Sequence, residues 1–229
     1  MIPKQIFQTQ RSQVYVDNNS RLKRAQDSWK KHTDFKYHFY SDDEMDKFME
    51  DHFDKRVNDA YHRCPMKVMK ADIWRYCVIY TYGGIYADTD AICTAINPST
   101  FLKDNTELVI APENHVHLCQ WTFAAPANSP ILKSIIDLSV ERILEIPKIM
   151  GENIIHYLTG PGVFTNGIEA FLESNGLPTY TNKRHYTNYP NHVLFVFSVS
   201  EFHRKMIKHM YSSRWPDGWY HERVRKIPN

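Results

Sequence analysis

The chain has 229 residues and a net charge of +2, with 28 lysines and arginines against 26 aspartates and glutamates. Its hydrophobic fraction of 42% and charged fraction of 24% are those of a globular protein. The balanced charge excludes the basic surface typical of nucleic-acid binding, so we expect no nucleic-acid partner. We expect a single domain over residues 1–229, because this length can bury a substantial core.

Short apolar runs and periodic segments alternate along the chain. Strands are predicted at residues 2–9, 35–40, 85–87, 91–94, 108–111, 121–125 and 193–199. Helices are predicted at residues 18–31, 57–62, 66–82, 131–143 and 163–173, with another after the capping box Ser41-Asp42-Asp43-Glu44. Residues 177–191 are predicted to form a long polar loop. This alternation predicts an α/β fold with ligands at the carboxyl ends of the strands.

Four cysteines are distributed along the chain. Cys64, Cys77, Cys93 and Cys119 form neither a C-x-x-C pair nor a zinc-binding spacing, which favours free thiols in a reducing compartment. The N-terminus lacks the apolar core and cleavage site of a signal peptide. No run reaches the ~18 apolar residues of a membrane span, so we expect a soluble protein with no transmembrane segment.

An acid pair, Asp88 and Asp90, follows a glycine pair and a short predicted strand. In an extended chain the two acids project to one side and Thr89 to the other. Two carboxylates on one side repel each other unless a cation lies between them. They are too few to hold Mg²⁺ or Mn²⁺ alone, and such ions complete their coordination with water and substrate phosphates. The pair therefore predicts a divalent cation and a diphosphate-bearing substrate.

Asp72 and Arg75 are three residues apart on the predicted helix 66–82, so they share a face of a segment that is apolar nearly all round. Burying either charge without a partner is costly. One interpretation is an internal salt bridge with no other role. The other is a polar-ligand site, in which Asp72 accepts from sugar or ribose hydroxyls and Arg75 donates.

Two long segments carry a signature, KADIWRY at residues 70–76 and YTYGGIYADTD at residues 80–90. Together they closely resemble glycosyltransferase family 32, the group with a DxD motif that includes α-mannosyltransferases and bacterial capsular polysaccharide enzymes. Residues 2–9 resemble the first strand of that family, and Thr159-Gly160-Pro161 resembles its TGP loop. His209 to Trp215 resembles a degraded copy of its C-terminal segment. The matches run in family order over nearly the whole chain.

This resemblance implies a GT-A fold, in which a nucleotide-sugar lies across the carboxyl ends of a central, mostly parallel sheet flanked by helices. Carried over by position, the catalytic residues are Asp88, Asp90 and Gln120. Donor binding falls on Gln8, Thr9, Asp72, Arg75, Gly84 and Tyr86. The acceptor side falls on Gly160, Pro161 and Asn166. The ligands of Mn²⁺ or Mg²⁺ are Asp88, Asp90 and His209.

The chain also departs from the family pattern. Phe7 replaces the usual histidine, so any contact made by that histidine is lost. Met210 and Ser213 replace other members of the C-terminal segment, which leaves His209 open between a metal ligand and a residue with no ligand role.

Two further patterns also stay open. Glu113, His115 and His117 either mimic a metal spacing or lie near the acceptor. Three tryptophans either stack on a sugar or base or belong to the core: Trp121, Trp215 and Trp219.

We therefore expect a metal-dependent glycosyltransferase that moves a hexosyl unit from a UDP- or GDP-sugar to a carbohydrate acceptor. The resemblance implies retention of configuration, for which we expect a front-face mechanism. A metal-dependent phosphatase or nucleotidyltransferase, or a non-catalytic carbohydrate-binding module, remains an alternative. Without an anchor, a cytoplasmic bacterial or virus-encoded enzyme is favoured over a resident Golgi enzyme.

Overall fold

A computed structural model describes residues 1–94, 97–151, 153–212, 223 and 227. The strands are β1 (Gln5–Thr9), β2 (Lys36–Tyr40), β3 (Gly84–Ala87), β4 (Ala91–Cys93), β5 (Leu108–Ile110), β6 (Thr122–Ala125), β7 (Leu194–Val196) and β8 (Ile207–His209). The helices are α1 (Gln13–Asp17), α2 (Ser20–Lys30), α3 (Asp42–His52), α4 (Lys55–Arg63), α5 (Lys67–Tyr82), α6 (Pro130–Glu145), α7 (Ile154–Leu158), α8 (Pro161–Ser174) and α9 (Val199–Glu201). Short 3₁₀ helices occur at Pro98–Phe101 and Lys183–Asn188, and a π-helical turn at Phe202–Met206.

The central sheet has the strand order β2-β1-β3-β6-β5-β7. Its parallel pairs are β1 with β2, β1 with β3 and β5 with β7, whereas β6 runs antiparallel to both of its neighbours. The predicted mixed, mostly parallel sheet flanked by helices is confirmed. A separate two-stranded sheet pairs β4 with β8 and places Ala91 opposite His209.

Both faces of the central sheet are covered, as β3 illustrates. Alternate side chains of a strand point to opposite faces. Tyr86 packs with Ile73 and Ile79 of α5, whereas Ile85 belongs to the apolar cluster on the other face, with Trp29 of α2. Because β3 is buried on both faces, the segment that follows it is fixed at the edge of the sheet.

Helix α5 ends where the sequence predicts. Gly83 has a φ of +66°, and its backbone N–H donates to Ile79 O at 2.8 Å. A Cβ at this position would lie 2.7 Å from the backbone nitrogen of Ala127, so only glycine fits the turn from α5 into β3.

The structure narrows other predictions. The first strand starts at Gln5 and not at residue 2, and the predicted strand 193–199 is reduced to β7. Ser198 ends it because its hydroxyl accepts from Glu201 N–H and caps α9. The predicted loop 177–191 contains a 3₁₀ helix that begins at the buried Lys183. None of the described helices has the length and apolarity needed to cross a membrane.

Candidate functional site

A cavity of about 540 Å³ opens at the edge of the sheet where β1, β3 and β5 end and β6 begins. Small-ligand sites typically have volumes of roughly 300–1,000 Å³. Most of the residues predicted for the site line this cavity: Thr9, Asp72, Arg75, Tyr86, Asp88, Asp90, Gln120, Gly160, Pro161 and His209. The predicted location at the carboxyl ends of the strands is the observed one.

The acid pair lies in a turn and not in the extended segment that the sequence predicts. Ala91 N–H donates to Asp88 O at 2.9 Å, and Asp88 N–H donates to Trp121 O at 2.8 Å. The hydroxyl of Thr89, between the two acids, donates to Thr9 O at 2.7 Å. The turn is thus tied to the end of β1 and to the residue before β6, which fixes both carboxylates at the cavity.

His209 reaches the acid pair through the β4–β8 sheet. Its Nε2 lies 3.1 Å from Asp90 Oδ1 and 3.6 Å from Asp88 Oδ2. Burial lowers the pKa of His209, but the two carboxylates outweigh this effect and raise the pKa to about 9. Burial also opposes ionisation of Asp90, yet contacts with His209 and Ser212, including a 2.7 Å bond from Ser212 N–H, lower its pKa to about 2.

These three side chains fit a divalent cation. One ligand atom from each of Asp88, Asp90 and His209 lies within 4.8 Å of the other two. His209 Nε2 is buried and makes no aligned hydrogen bond among the described residues, despite its short distances to both carboxylates. Its Nδ1 lies 3.3 Å from Tyr211 N, and Nε2 must be without a proton to coordinate a metal. Carboxylate oxygens suit Mn²⁺ and Mg²⁺.

Asp72 and Arg75 form the predicted salt bridge, with Asp72 Oδ1 3.0 Å from Arg75 Nη2. The same nitrogen lies 3.3 Å from Asp88 Oδ1, so Arg75 links the helix to the acid pair. Against the effect of burial, Asp88, Tyr86 and Asp72 raise the pKa of Arg75 above its ordinary value. Burial raises the pKa of Asp72 to about 7, although Arg75 and the hydroxyl of Thr159 act in the opposite direction. The salt bridge is thus observed, and the polar-ligand interpretation stays a prediction for a pair that lines the cavity.

Gln120 connects this network to the start of β6. Its Nε2 donates to Asp72 Oδ1 at 3.3 Å, and its Oε1 accepts from the hydroxyl of Tyr76. Tyr86, also predicted for donor binding, donates its hydroxyl to Asp88 Oδ1 and carries the Arg75 guanidinium 4.7 Å above its ring. Both residues therefore orient the charged groups of the cavity.

Three residues predicted for the site lie outside the described lining of the cavity. Gln8 is fully buried; its Nε2 donates to Asp88 O at 3.1 Å and its Oε1 accepts from the Tyr37 hydroxyl at 2.8 Å. Gly84 lies within β3, where a Cβ would come 2.8 Å from the carbonyl oxygen of Gln5. Asn166 is exposed on α8. Gln8 therefore supports the acid pair from outside the cavity lining, Gly84 packs against β1, and Asn166 faces solvent.

Only some residues of the Glu-x-His-x-His pattern and of the three tryptophans line the cavity. Glu113 lines the cavity, whereas His115 is exposed and the described lining omits His117. Trp121 lines the cavity, with its ring centroid 4.5 Å from that of His209. Ser213, Trp215 and Trp219 lie outside the described residues.

One contact of the site escapes sequence reasoning. Thr159 Oγ1 donates to Asp72 Oδ2 at 3.0 Å, across 87 positions of the chain. The TGP resemblance marks the loop but not this contact. A threonine just before a helix is ordinarily interpreted as a cap, so local pattern alone could not have identified this contact.

Residues 19–106 match the family model described as "glycosyltransferase sugar-binding region containing DXD motif". The chain is similar to an initiation-specific alpha-1,6-mannosyltransferase of Candida albicans, 26% identical over 211 residues that cover 75% of this chain and 54% of that relative. It is also similar to an initiation-specific alpha-1,6-mannosyltransferase of Schizosaccharomyces pombe, 32% identical over 139 residues that cover 51% of this chain and 35% of that relative. The chain spans about half the length of the first relative and about a third of the second.

Among solved structures, the chain is similar to one described as "PaToxG Glycosyltransferase", with a TM-score of 0.53 and 18% identity. That similarity covers 76% of this chain and 71% of the other, and it confirms the GT-A type of fold. The DxD-bearing segment in the family match contains Asp72, Arg75, Asp88 and Asp90. The resemblance to glycosyltransferase family 32 is therefore confirmed, and residues 19–106 match the DXD-containing sugar-binding region of glycosyltransferases.

Proposed function

We propose that the chain transfers a hexosyl unit, a mannosyl unit above all, from a UDP- or GDP-sugar to a hydroxyl group of a carbohydrate acceptor. One observation carries the proposal: the Asp72–Arg75 pair and the cluster of acids with His209 lie in one cavity and are joined to each other. Arg75 bridges the buried Asp72 and the acid Asp88, and Asp88 also belongs to the cluster with Asp90 and His209. A nucleotide-sugar matches this arrangement, because its sugar hydroxyls suit the Asp72–Arg75 pair and its diphosphate suits a cation held by the acid cluster.

In this proposal Asp88, Asp90 and His209 hold Mn²⁺ or Mg²⁺. When bound, the cation neutralises the charge of the donor diphosphate and of the leaving group. The remaining coordination positions are left to water and phosphate oxygens, as is usual for ions held by few carboxylates. The location of His209 on β8 supports its role as the third ligand, because β4 follows the acid pair directly.

The residues around the cation bind and orient the donor. Asp72 keeps acceptor oxygens for sugar hydroxyls, and the guanidinium of Arg75 stabilises negative charge as the bond between sugar and diphosphate breaks. Gln120, held by Tyr76 and Asp72, orients the sugar near that bond. Gly160 and Pro161 lie on the acceptor side, and retention follows from attack on the face that the diphosphate leaves.

Mannose is favoured because both fungal relatives named above are described as mannosyltransferases. A reducing, cytoplasmic setting is part of the proposal, since the four buried cysteines of the chain are not joined in disulfides.

A screen of UDP- and GDP-hexoses, beginning with GDP-mannose, tests the proposed function. Release of the nucleoside diphosphate is measured with Mn²⁺, with EDTA and after Mn²⁺ is restored. We expect slow hydrolysis of one donor, loss of the reaction in EDTA and recovery with the metal. Asp137→Asn, on an exposed part of α6, is the matched control and keeps full turnover.

Other outcomes identify the alternative classes. Hydrolysis of simple phosphate monoesters without turnover of any nucleotide-sugar would indicate a phosphatase. Binding of mannosides without any affinity for nucleoside diphosphates would indicate a carbohydrate-binding module. Either result overturns the proposed function.

A further inference from the structure

Glu113 lies in a rigid turn immediately after β5. Its backbone N–H donates to His117 O at 3.0 Å, and Pro112 pairs with Leu118 across the turn. The side chain of Asn114 accepts from the N–H groups of Val116 and His117, each at 2.7 Å. A turn closed in this way fixes the backbone from which the Glu113 side chain reaches the cavity.

The turn is packed next to the proposed metal ligands. Pro112 O lies 3.0 Å from His203 Nε2, and the His203 ring contacts Trp121, with centroids 5.5 Å apart. Trp121 in turn contacts His209, with centroids 4.5 Å apart. Glu113 and His209 both line the cavity. The carboxylate of Glu113 therefore belongs to the same cavity as the acid pair, on the wall formed by β5 and its turn.

Glu113 differs from the other acids of the cavity because its carboxylate has no partner in the part of the chain that the structure describes. It is half-buried at the cavity, and it forms no hydrogen bond and no ion pair within residues 1–94, 97–151 and 153–212. Burial raises its pKa, with a smaller opposing effect of His209. A carboxylate that lines a cavity and has no partner among the described residues is available to accept a hydrogen bond from a ligand.

The charges in the cavity indicate which kind of ligand group the Glu113 carboxylate could bind. A carboxylate repels a diphosphate, because both are negatively charged, so Glu113 is unsuited to bind the phosphates of the donor. It also lies outside the cluster whose ligand atoms are within 4.8 Å of one another, so it is not placed as a fourth protein ligand of the cation. A hydroxyl group, which is neutral and donates a hydrogen bond, is the complementary partner.

We propose that Glu113 binds the attacking group of the reaction, the acceptor hydroxyl or a water molecule in its absence. This inference rests on the proposed glycosyl transfer. In the step, the hydroxyl oxygen forms a bond to the anomeric carbon, and the bond from that carbon to the diphosphate oxygen breaks with its electron pair on the diphosphate. The hydroxyl proton passes to that departing oxygen. Glu113 accepts the hydrogen bond that aligns the hydroxyl before the step, and it is unchanged afterwards.

Glu113→Ala and Glu113→Gln test the role, with Glu173→Ala on an exposed part of α8 as the matched control. Three quantities are measured: turnover of the donor found in the screen, with water and with methyl α-mannoside; affinity for the nucleoside diphosphate with Mn²⁺; and the melting temperature. For Glu113→Ala we expect turnover to fall roughly 10- to 100-fold, the loss of one charge-assisted hydrogen bond. Glu113→Gln loses less, because its Oε1 still accepts. Nucleotide affinity and the melting temperature do not fall.

Unchanged turnover in Glu113→Ala would overturn the inference. A parallel loss of nucleotide affinity would also overturn it, because Glu113 would then act on the donor or the cation. A lower melting temperature with a proportional loss of turnover would show a structural role instead. If the wild-type protein turns over no nucleotide-sugar, the proposed function fails and this inference fails with it; a loss confined to the Glu113 variants leaves the proposed function standing.

Discussion

The two walls of the cavity differ in how their charges are compensated. On the wall formed by α5 and the acid pair, Asp72, Arg75 and Asp88 are joined by ion pairs of 3.0 and 3.3 Å, and Thr159 and Gln120 add hydrogen bonds to Asp72. On the wall formed by the turn after β5, the carboxylate of Glu113 has no partner among the described residues.

This difference separates two ways of preparing a site. A network of paired charges is ordered before a ligand arrives, so the donor finds its groups already oriented. Removal of one member also lowers the free energy of unfolding, because it leaves the others buried without a partner. Removal of an unpaired carboxylate leaves no other charge without a partner, and the carboxylate gains a hydrogen bond only when a ligand binds. Substitutions on the two walls should therefore affect stability and turnover in different proportions.

The largest effect is expected for Asp88→Asn. The substitution keeps the shape of the side chain but removes a charge that faces both His209 and Arg75. We expect turnover of the nucleotide-sugar to fall about 100- to 1,000-fold. Steady-state release of the nucleoside diphosphate measures the change, with Asp137→Asn as the control. Turnover within threefold of the wild type would remove Asp88 from the proposed mechanism.

Arg75→Met tests whether the donor wall is a structural network as well. Asp72 and Asp88 lose their shared cation, so we expect the free energy of unfolding to fall by about 3–5 kcal/mol. Urea unfolding followed by circular dichroism gives the value. Lys133→Met is the matched control, because it breaks an exposed pair with Asp137 on α6 and should cost less than about 1 kcal/mol. Equal losses in the two variants would contradict the account of a buried network.

Thr159→Val probes the hydrogen bond that the sequence does not reveal. The variant keeps the volume of the side chain and removes the donor to Asp72 Oδ2. A hydrogen bond to a charged group contributes about 1.5–3 kcal/mol, so the free energy of unfolding should fall by that amount. Thr100→Val, which removes a hydroxyl that donates to the nearby Asn97 O, should cost about 1 kcal/mol or less. A smaller loss for Thr159→Val than for Thr100→Val would show that Asp72 does not depend on this hydroxyl.

The smallest effect on stability is expected for Glu113→Gln. Because the carboxylate has no partner to lose, the free energy of unfolding should stay the same or rise by up to about 1 kcal/mol. The same urea titration measures it beside Arg75→Met. A loss of 2 kcal/mol or more would mean that the two walls are alike, and the comparison would fail.

Local sequence patterns predicted the parts of the site that are close together along the chain. The length of α5, its end at Gly83 and the positions of Asp72 and Asp88 follow from periodicity and a helix-ending glycine. The predicted extended acid pair was wrong in its local geometry, because Thr89 is drawn toward the end of β1 and the segment turns. The two carboxylates converge nevertheless, since both face His209.

Contacts between distant segments could not be predicted from local pattern. His209 lies at the acid pair only because β8 pairs with β4, and the sequence around residue 209 does not predict that pairing. Gln8 was predicted to meet the donor, but the structure has both ends of its amide bonded to Asp88 O and Tyr37. In the turn after β5, the sequence could not separate Glu113 from His115, because only the fold decides which side chain enters the cavity.

The most direct test of the account is a calorimetric titration of GDP and UDP into the wild-type protein with Mn²⁺ and with EDTA. The central claim is that Asp88, Asp90 and His209 hold a cation that in turn holds the donor diphosphate. We predict that one nucleotide binds with Mn²⁺, that its affinity falls at least tenfold in EDTA, and that Asp88→Asn shows the weak affinity under both conditions. Equal affinity with Mn²⁺ and with EDTA in the wild-type protein would contradict the claim.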